Sequence, residues 1–150
     1  ICKRFSSILE LGSGEGHQSM FLGELCDELY GVELSARAVA RAQARCKEAT
    51  YFVGELDRIN EILPHQRFHL ITACEVLCYS RDPGKILKSL QDRCDYLYVS
   101  NYLPRSLKMQ QYFEGRGWER LPRITHGETK WDCFLWCAEN EQGEQPSIER

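Results

Sequence analysis

A doubly wound α/β fold, a mostly parallel sheet with helices on both faces, is predicted by three observations. The stretch Ile8-Leu9-Glu10-Leu11-Gly12-Ser13-Gly14-Glu15-Gly16 reads as a short apolar strand running into a turn with glycine at every second position. Glycines this dense let the backbone take positive φ and approach a ligand with no Cβ in the way. Beyond that turn, apolar runs of strand length alternate with helical patterns. The last third instead holds two strand-like runs too close together for a crossover helix between them.

The first strand spans about Ser7 to Leu11 and is mostly apolar, as a central parallel strand covered on both faces should be. A helix is expected from about His17 to Leu29, with Phe21, Leu22, Leu25, Cys26 and Leu29 as its apolar stripe and Gly23 weakening it. Strand two is Glu28 to Val32, ending at Glu33. Ser35 has the character of an N-cap for a helix over Ala36 to Lys47, whose buried face is marked by Val39, Ala42 and Cys46. Strand three, Thr50 to Val53, stops at Gly54, and a brief helix from Asp57 to Leu63 is broken by Pro64. Strand four, Phe68 to Ala73, leads into Cys74-Glu75-Val76-Leu77-Cys78-Tyr79. Asp82-Pro83 opens the next helix, the acid as cap and proline in the first helical position, with Ile86, Leu87 and Leu90 facing the core. Strand five, Tyr96 to Ser100, precedes a loop Asn101-Tyr102-Leu103-Pro104 and a helix from about Arg105 to Phe113. Trp118 to Ile124 and Lys130 to Ala138, linked by Thr125 to Thr129, should pair antiparallel. One domain over residues 1–139 is expected, with 140–150 as a disordered polar tail.

The chain has 150 residues, 43% hydrophobic and 27% charged, as ordinary globular domains do. A net charge of −3 gives no electrostatic case for nucleic acid or anionic membrane as partner. No apolar run approaches the roughly 20 residues that cross a bilayer. Eight cysteines are scattered without a C-x-x-C pair. Cys133 and Cys137 on one strand would lie about 13 Å apart, too far to grip one metal ion. Reduced structural thiols, no metal site and a reducing cytoplasm are therefore expected. The chain starts without methionine shortly before its first strand, which suggests a fragment with an upstream cap or domain.

Five βα units followed by a hairpin, with Glu10-Leu11-Gly12-Ser13-Gly14-Glu15-Gly16 in first position, resemble the class I S-adenosylmethionine-dependent methyltransferases. The glycine segment matches that family's E/D-x-G-x-G-x-G, and Glu33, 23 residues after Glu10, matches its ribose acid. The resemblance implies a seven-stranded Rossmann-like sheet of order 3-2-1-4-5-7-6 with strand seven antiparallel. It also implies S-adenosyl-L-methionine as cofactor. Gly12, Ser13, Gly14 and Gly16 would form the cofactor turn, and Glu10 would meet the cofactor's ammonium, a pairing that suits a carboxylate. Glu33, with Leu34 beside it, would offer two oxygens to the ribose hydroxyls. Glu55 and Leu56 would flank the adenine, and Cys74 and Glu75 would stand where strand four meets the glycine turn, the crevice where ligands bind in open α/β sheets. A dinucleotide fingerprint fits poorly, because His17 falls where its third glycine belongs.

The expected reaction is methyl transfer to a nucleophilic N or O of a small molecule or glycan by in-line displacement, in which alignment is the protein's main task. A base is needed only where the acceptor is protonated. Glu75, Tyr79, Asn101 and His126 are the candidates, with Glu75 and Tyr79 ahead and Tyr102 a further acceptor contact. The loop from Thr72 to Tyr79 with Asp82-Pro83 is most similar to nodulation-type (NodS-like) N-methyltransferases. The alternative is a methyltransferase-like scaffold domain with weak or no cofactor binding. Glu15 is expected to be solvated near a helix start, His69 structural, His65 a surface residue, and Trp118, Trp131 and Trp136 core.

Overall fold

The computed structural model describes residues 4–138, so the expected polar tail and Cys2 lie outside the described residues. Seven strands form one sheet in the order β3-β2-β1-β4-β5-β7-β6. They are β1 (Phe5–Leu11), β2 (Cys26–Glu33), β3 (Thr50–Val53), β4 (Phe68–Cys74), β5 (Cys94–Tyr102), β6 (Trp118–His126) and β7 (Thr129–Cys137). The first five are parallel, and β7 runs antiparallel to both β5 and β6. This is the order that the family resemblance implied.

The connecting helices are α1 (Ser19–Leu25), α2 (Ala36–Arg45), α3 (Ile59–Ile62), α4 (Pro83–Gln91) and α5 (Leu103–Met109). Two begin as expected from local chemistry. The Ser35 side chain accepts from the Ala38 N–H, and Asp82 accepts from the Lys85 N–H with Pro83 following. The brief helix before Pro64 is a 3-10 turn, Leu56–Arg58, running into α3.

The main core lies on one face of the sheet. Leu9, Leu11, Val32, Ile71, Ala73, Leu97, Val99 and Phe134 meet Ile59, Ile86, Leu87, Leu90, Met109 and Phe113 from the helices above. On the other face Ile8, Leu22, Cys26, Leu29, Ala49 and Leu70 form a smaller cluster under α1. His69 belongs to this face as a structural group, its Nδ1 accepting from the Ser6 N–H at 3.2 Å and its ring 5.2 Å from Phe5. Asp132, 2% exposed, ties the hairpin to α5. It accepts from Ser106 Oγ at 2.8 Å and from Arg123 Nε at 2.9 Å.

Several boundaries differ from the expectation. The first helix is only seven residues, and β2 begins at Cys26 rather than Glu28. Leu29 and Cys26 therefore serve the sheet, while Phe21 and Leu25 are exposed. Both strand and helix can use such an apolar run, and pairing with β1 in register Phe5↔Cys26 decides it. Strand β5 continues through Asn101 and Tyr102 because β7 pairs with both, and Leu103 and Pro104 already belong to α5. The loop expected at 101–104 is absent. The hairpin link shrinks to Gly127-Glu128, with Gly127 at φ +57°, since His126 and Thr129 pair. The three tryptophans are half-buried rather than fully core.

Candidate functional site

Gly12, Gly14 and Gly16 take φ of +71°, +53° and +80°, the left-handed region that favours glycine. Each serves a separate contact. A Cβ on Gly12 would stand 2.9 Å from Val76 Cγ2, so the turn lies directly against the segment leaving β4. A Cβ on Gly16 would meet the Ala42 backbone at 2.9 Å, so its bareness accommodates α2 rather than the start of α1. Gly14 faces open space, and its N–H donates to Glu33 Oε2 at 3.0 Å. The other Glu33 oxygen accepts from the Ser35 N–H at 2.9 Å. Glu33 therefore joins the glycine turn to the start of α2 and still faces the cavity beside it.

That cavity, of about 550 Å³, opens at the carboxyl ends of β1, β2, β3 and β4. Leu11, Gly12, Val32, Glu33 and Leu34 form one side. Gly54, Glu55, Leu56 and Asp57 form the β3 side, and Cys74, Glu75, Val76, Tyr79 and Arg81 close the third. The structure thus brings Gly12, Glu33, Leu34, Glu55, Leu56, Cys74, Glu75 and Tyr79 to one cavity. Sequence reasoning did not assign Asp57, Val76 and Arg81 to it. Asp57 accepts from the Ser80 hydroxyl and the Arg81 N–H, and the Ser80 bond above all holds its carboxyl below the ordinary value. The polar pair Glu55 and Asp57, two residues apart after a strand end, was the available signal for it.

Glu10 lies beneath the turn on the α1 side, 3% exposed, where its carboxylate accepts from the Ser19 hydroxyl. Burial pushes its pKa from 4.5 to about 7, against the lowering effect of Ser19. Ser13 is buried as well, its Oγ without a hydrogen-bond partner. Cys74 accepts from Gln18 Nε2 at 3.3 Å, and burial pushes its thiol up.

Glu75 has φ +60°, the conformation an L side chain rarely adopts. Its N–H donates to the Ser100 carbonyl at 2.9 Å, and its carboxylate accepts from the Tyr102 N–H and lies 3.3 Å from Arg105 Nη1. Tyr79 is 71% exposed at the rim. Asn101, expected on an accessible loop, is fully buried on β5 with neither amide atom partnered, so the strand pairing removes it from contact with an acceptor. His126 is exposed where the β6–β7 hairpin turns, outside the cavity lining. Glu15 pairs with Arg41 at the protein surface, as a solvated acid near α1 should. Among the described residues no cluster of His, Cys, Asp and Glu could hold a metal ion.

The family described as "Methyltransferase domain" matches residues 1–132. The chain is 45% identical over 49 residues to a protein-L-isoaspartate O-methyltransferase of Opitutus terrae, a match covering 33% of this chain and 21% of that protein. It is 26% identical over 98 residues to nodulation protein S of Sinorhizobium fredii, covering 65% and 45%. The chain thus spans less than half the length of either curated relative. In fold it is similar to the N-methyltransferase NodS from Bradyrhizobium japonicum, solved in complex with S-adenosyl-L-homocysteine. There the TM-score is 0.72 at 15% identity, over 89% of this chain and 78% of that one.

Proposed function

The chain belongs to the methyltransferase-domain family, and from that premise we propose that it binds S-adenosyl-L-methionine and methylates a small molecule or glycan. In this reading residues 1–139 act as one methyltransferase domain, and the methyl group passes to a nitrogen or oxygen by in-line displacement. The carrying observation is Glu33, held by the Gly14 N–H at the mouth of a cavity whose β3 side adds Glu55 and Asp57. When bound, the cofactor supplies a methyl group on a positively charged sulfur.

The residues fit such a ligand. Glu33 has lone pairs to spare on both oxygens after accepting one N–H on each, enough for two ribose hydroxyls. Leu34 and Leu56 offer apolar faces to a purine, and Glu55 an acceptor for its amino group. The turn at Gly14 leaves open space for a ligand to lie against the backbone. Glu10 would hold the ammonium end from below, a cation being what stabilises a carboxylate in so buried a place. Cys74 belongs to the cavity lining, and Gln18 donates to its sulfur. Glu75 is engaged by Tyr102 and Arg105, which suits it to positioning better than to taking a proton. Tyr79, 71% exposed at the rim with Arg105 over its ring, is the residue best placed to meet the acceptor.

Calorimetric titration with S-adenosylmethionine and S-adenosylhomocysteine tests the reading. Saturable binding is expected, weakened about tenfold or more in Glu33→Ala, which loses hydrogen bonds to a charged group. No heat and no thermal shift would leave the scaffold reading in its place.

A further inference from the structure

Charge is distributed unevenly around the cavity. Among the described residues its lining carries the carboxylates of Glu33, Glu55, Asp57 and Glu75 and a single cation, Arg81. Arg81 is engaged by those acids, 3.5 Å from Glu55 and 3.8 Å from Asp57. A second cation stands outside the lining, against Glu75 and Tyr79. Arg105, near the start of α5, sets Nη1 3.3 Å from Glu75 Oε2 and its guanidinium carbon 5.4 Å from the centre of the Tyr79 ring.

Three features of this arrangement point beyond a surface ion pair. Glu75 holds its place with a left-handed backbone, and its second oxygen is fastened to the Tyr102 N–H. The carboxylate therefore works as a bracket between the ends of β4 and β5, with Arg105 mounted on it. Strain of that kind persists only where surrounding contacts enforce it, and it gathers at ligand sites. Next, a guanidinium has five N–H donors in a planar fork, and the contact to Glu75 is single and long. The Arg105 side chain remains 46% exposed. Finally, the rings beside it, Tyr79 and Tyr102, are 71% and 40% exposed and offer apolar surface to a bound molecule. A lone exposed ion pair adds little to stability, so stability does not account for the strained carboxylate, the ring contact and the open rings together.

We propose that Arg105 binds the methyl acceptor, and that the acceptor carries an oxyanion, a carboxylate or a phosphate. The inference rests on the reading of the cavity as a methyl-donor site and names the acceptor class for it. Arginine's fork matches two oxygens of such a group, which lysine's point charge does not. Glu75 is a positioning residue, fixing the guanidinium over Tyr79. The acids elsewhere in the cavity repel an anion, so the acceptor enters one way round, anionic end at Arg105 and nucleophile inward.

The test uses the chain saturated with S-adenosylhomocysteine, titrated with benzoate, phenyl phosphate and the neutral analogue benzamide, with affinities read by ligand-observed NMR. One or both oxyanions should bind about tenfold or more tightly than benzamide, and which of them does so separates carboxylate from phosphate. Arg105→Ala should remove most of that advantage, and Arg105→Lys should restore part of it. S-adenosylhomocysteine affinity and thermal unfolding should be unchanged in both variants. Equal binding of benzoate, phenyl phosphate and benzamide, no binding of any of them, or an oxyanion preference unaltered in Arg105→Ala would overturn the proposal. Failure of the unmodified chain to bind S-adenosylhomocysteine is a separate result, which would overturn the methyl-donor reading and this inference with it.

Discussion

Replacing Glu10 with glutamine keeps the shape of the side chain and its acceptor for the Ser19 hydroxyl, but removes a buried ionisable group. Burial raises the Glu10 pKa from 4.5 to about 7, so between those values the folded chain holds a proton that the unfolded chain has released. An acid with a raised folded pKa loses stability as pH climbs through that window. Below pH 4.5 both states are protonated and the penalty is absent; above about 7 it is complete. At about 1.4 kcal/mol per pH unit, the full window is worth about 3 kcal/mol. The Gln variant has no such window. It should match the parent near pH 4 and exceed it by about 3 kcal/mol at pH 8, which is roughly 10 °C in Tm for a domain of this size. Urea unfolding followed by circular dichroism at both pH values, without cofactor, measures it. Parallel pH profiles for the two proteins would refute the reasoning, because the carboxyl would then be no worse solvated in the fold than in the unfolded chain.

Other perturbations test separate contacts. Gly16→Ala places a Cβ 2.9 Å from the Ala42 backbone at φ +80°. It should cost about 2–4 kcal/mol in denaturant unfolding, through both strain and displacement of α2. Asp132→Ala leaves Ser106 and Arg123 without their shared buried partner and should cost about 2–3 kcal/mol. Burial alone would raise the Asp132 pKa, yet Ser106, Arg123 and Arg120 together hold it below 3.8. Its contribution should therefore be present above pH 3.8 and fade as acid is added, so parent and variant should converge in low-pH melts.

Much of the fold was legible because its signals are local. A serine before an alanine-rich stretch and Asp-Pro before a helical stripe cap their helices whatever surrounds them. Three alternating glycines require a turn that side chains oppose, and a link of only a few residues admits no crossover helix. The cavity residues Gly12, Glu33, Glu55, Leu56 and Cys74 stand at or just beyond strand ends, so locating the strands located them. Harder to read were the segments where helix and strand compete. Phe21 to Leu29 satisfies either period, and only pairing with β1 ends the helix at Leu25. Asn101 resembled a loop residue because β7, which buries it, lies some thirty residues later in the chain.

By itself, then, the sequence determined the caps and the glycine turn, which depend on neighbours a few positions apart, and, through the spacing of its motifs, the order of elements and the family. Only the tertiary structure decided what the turn is fastened to. Gly14 meets Glu33 across 19 positions, Gly16 meets Ala42, and Glu75 takes a left-handed backbone to hold Tyr102 and Arg105 across 27 and 30. Hydrogen bonds and close approaches of this kind arise when strands distant in sequence end side by side. For that reason the Glu75, Tyr102 and Arg105 cluster, which is built from them, had no motif to be read.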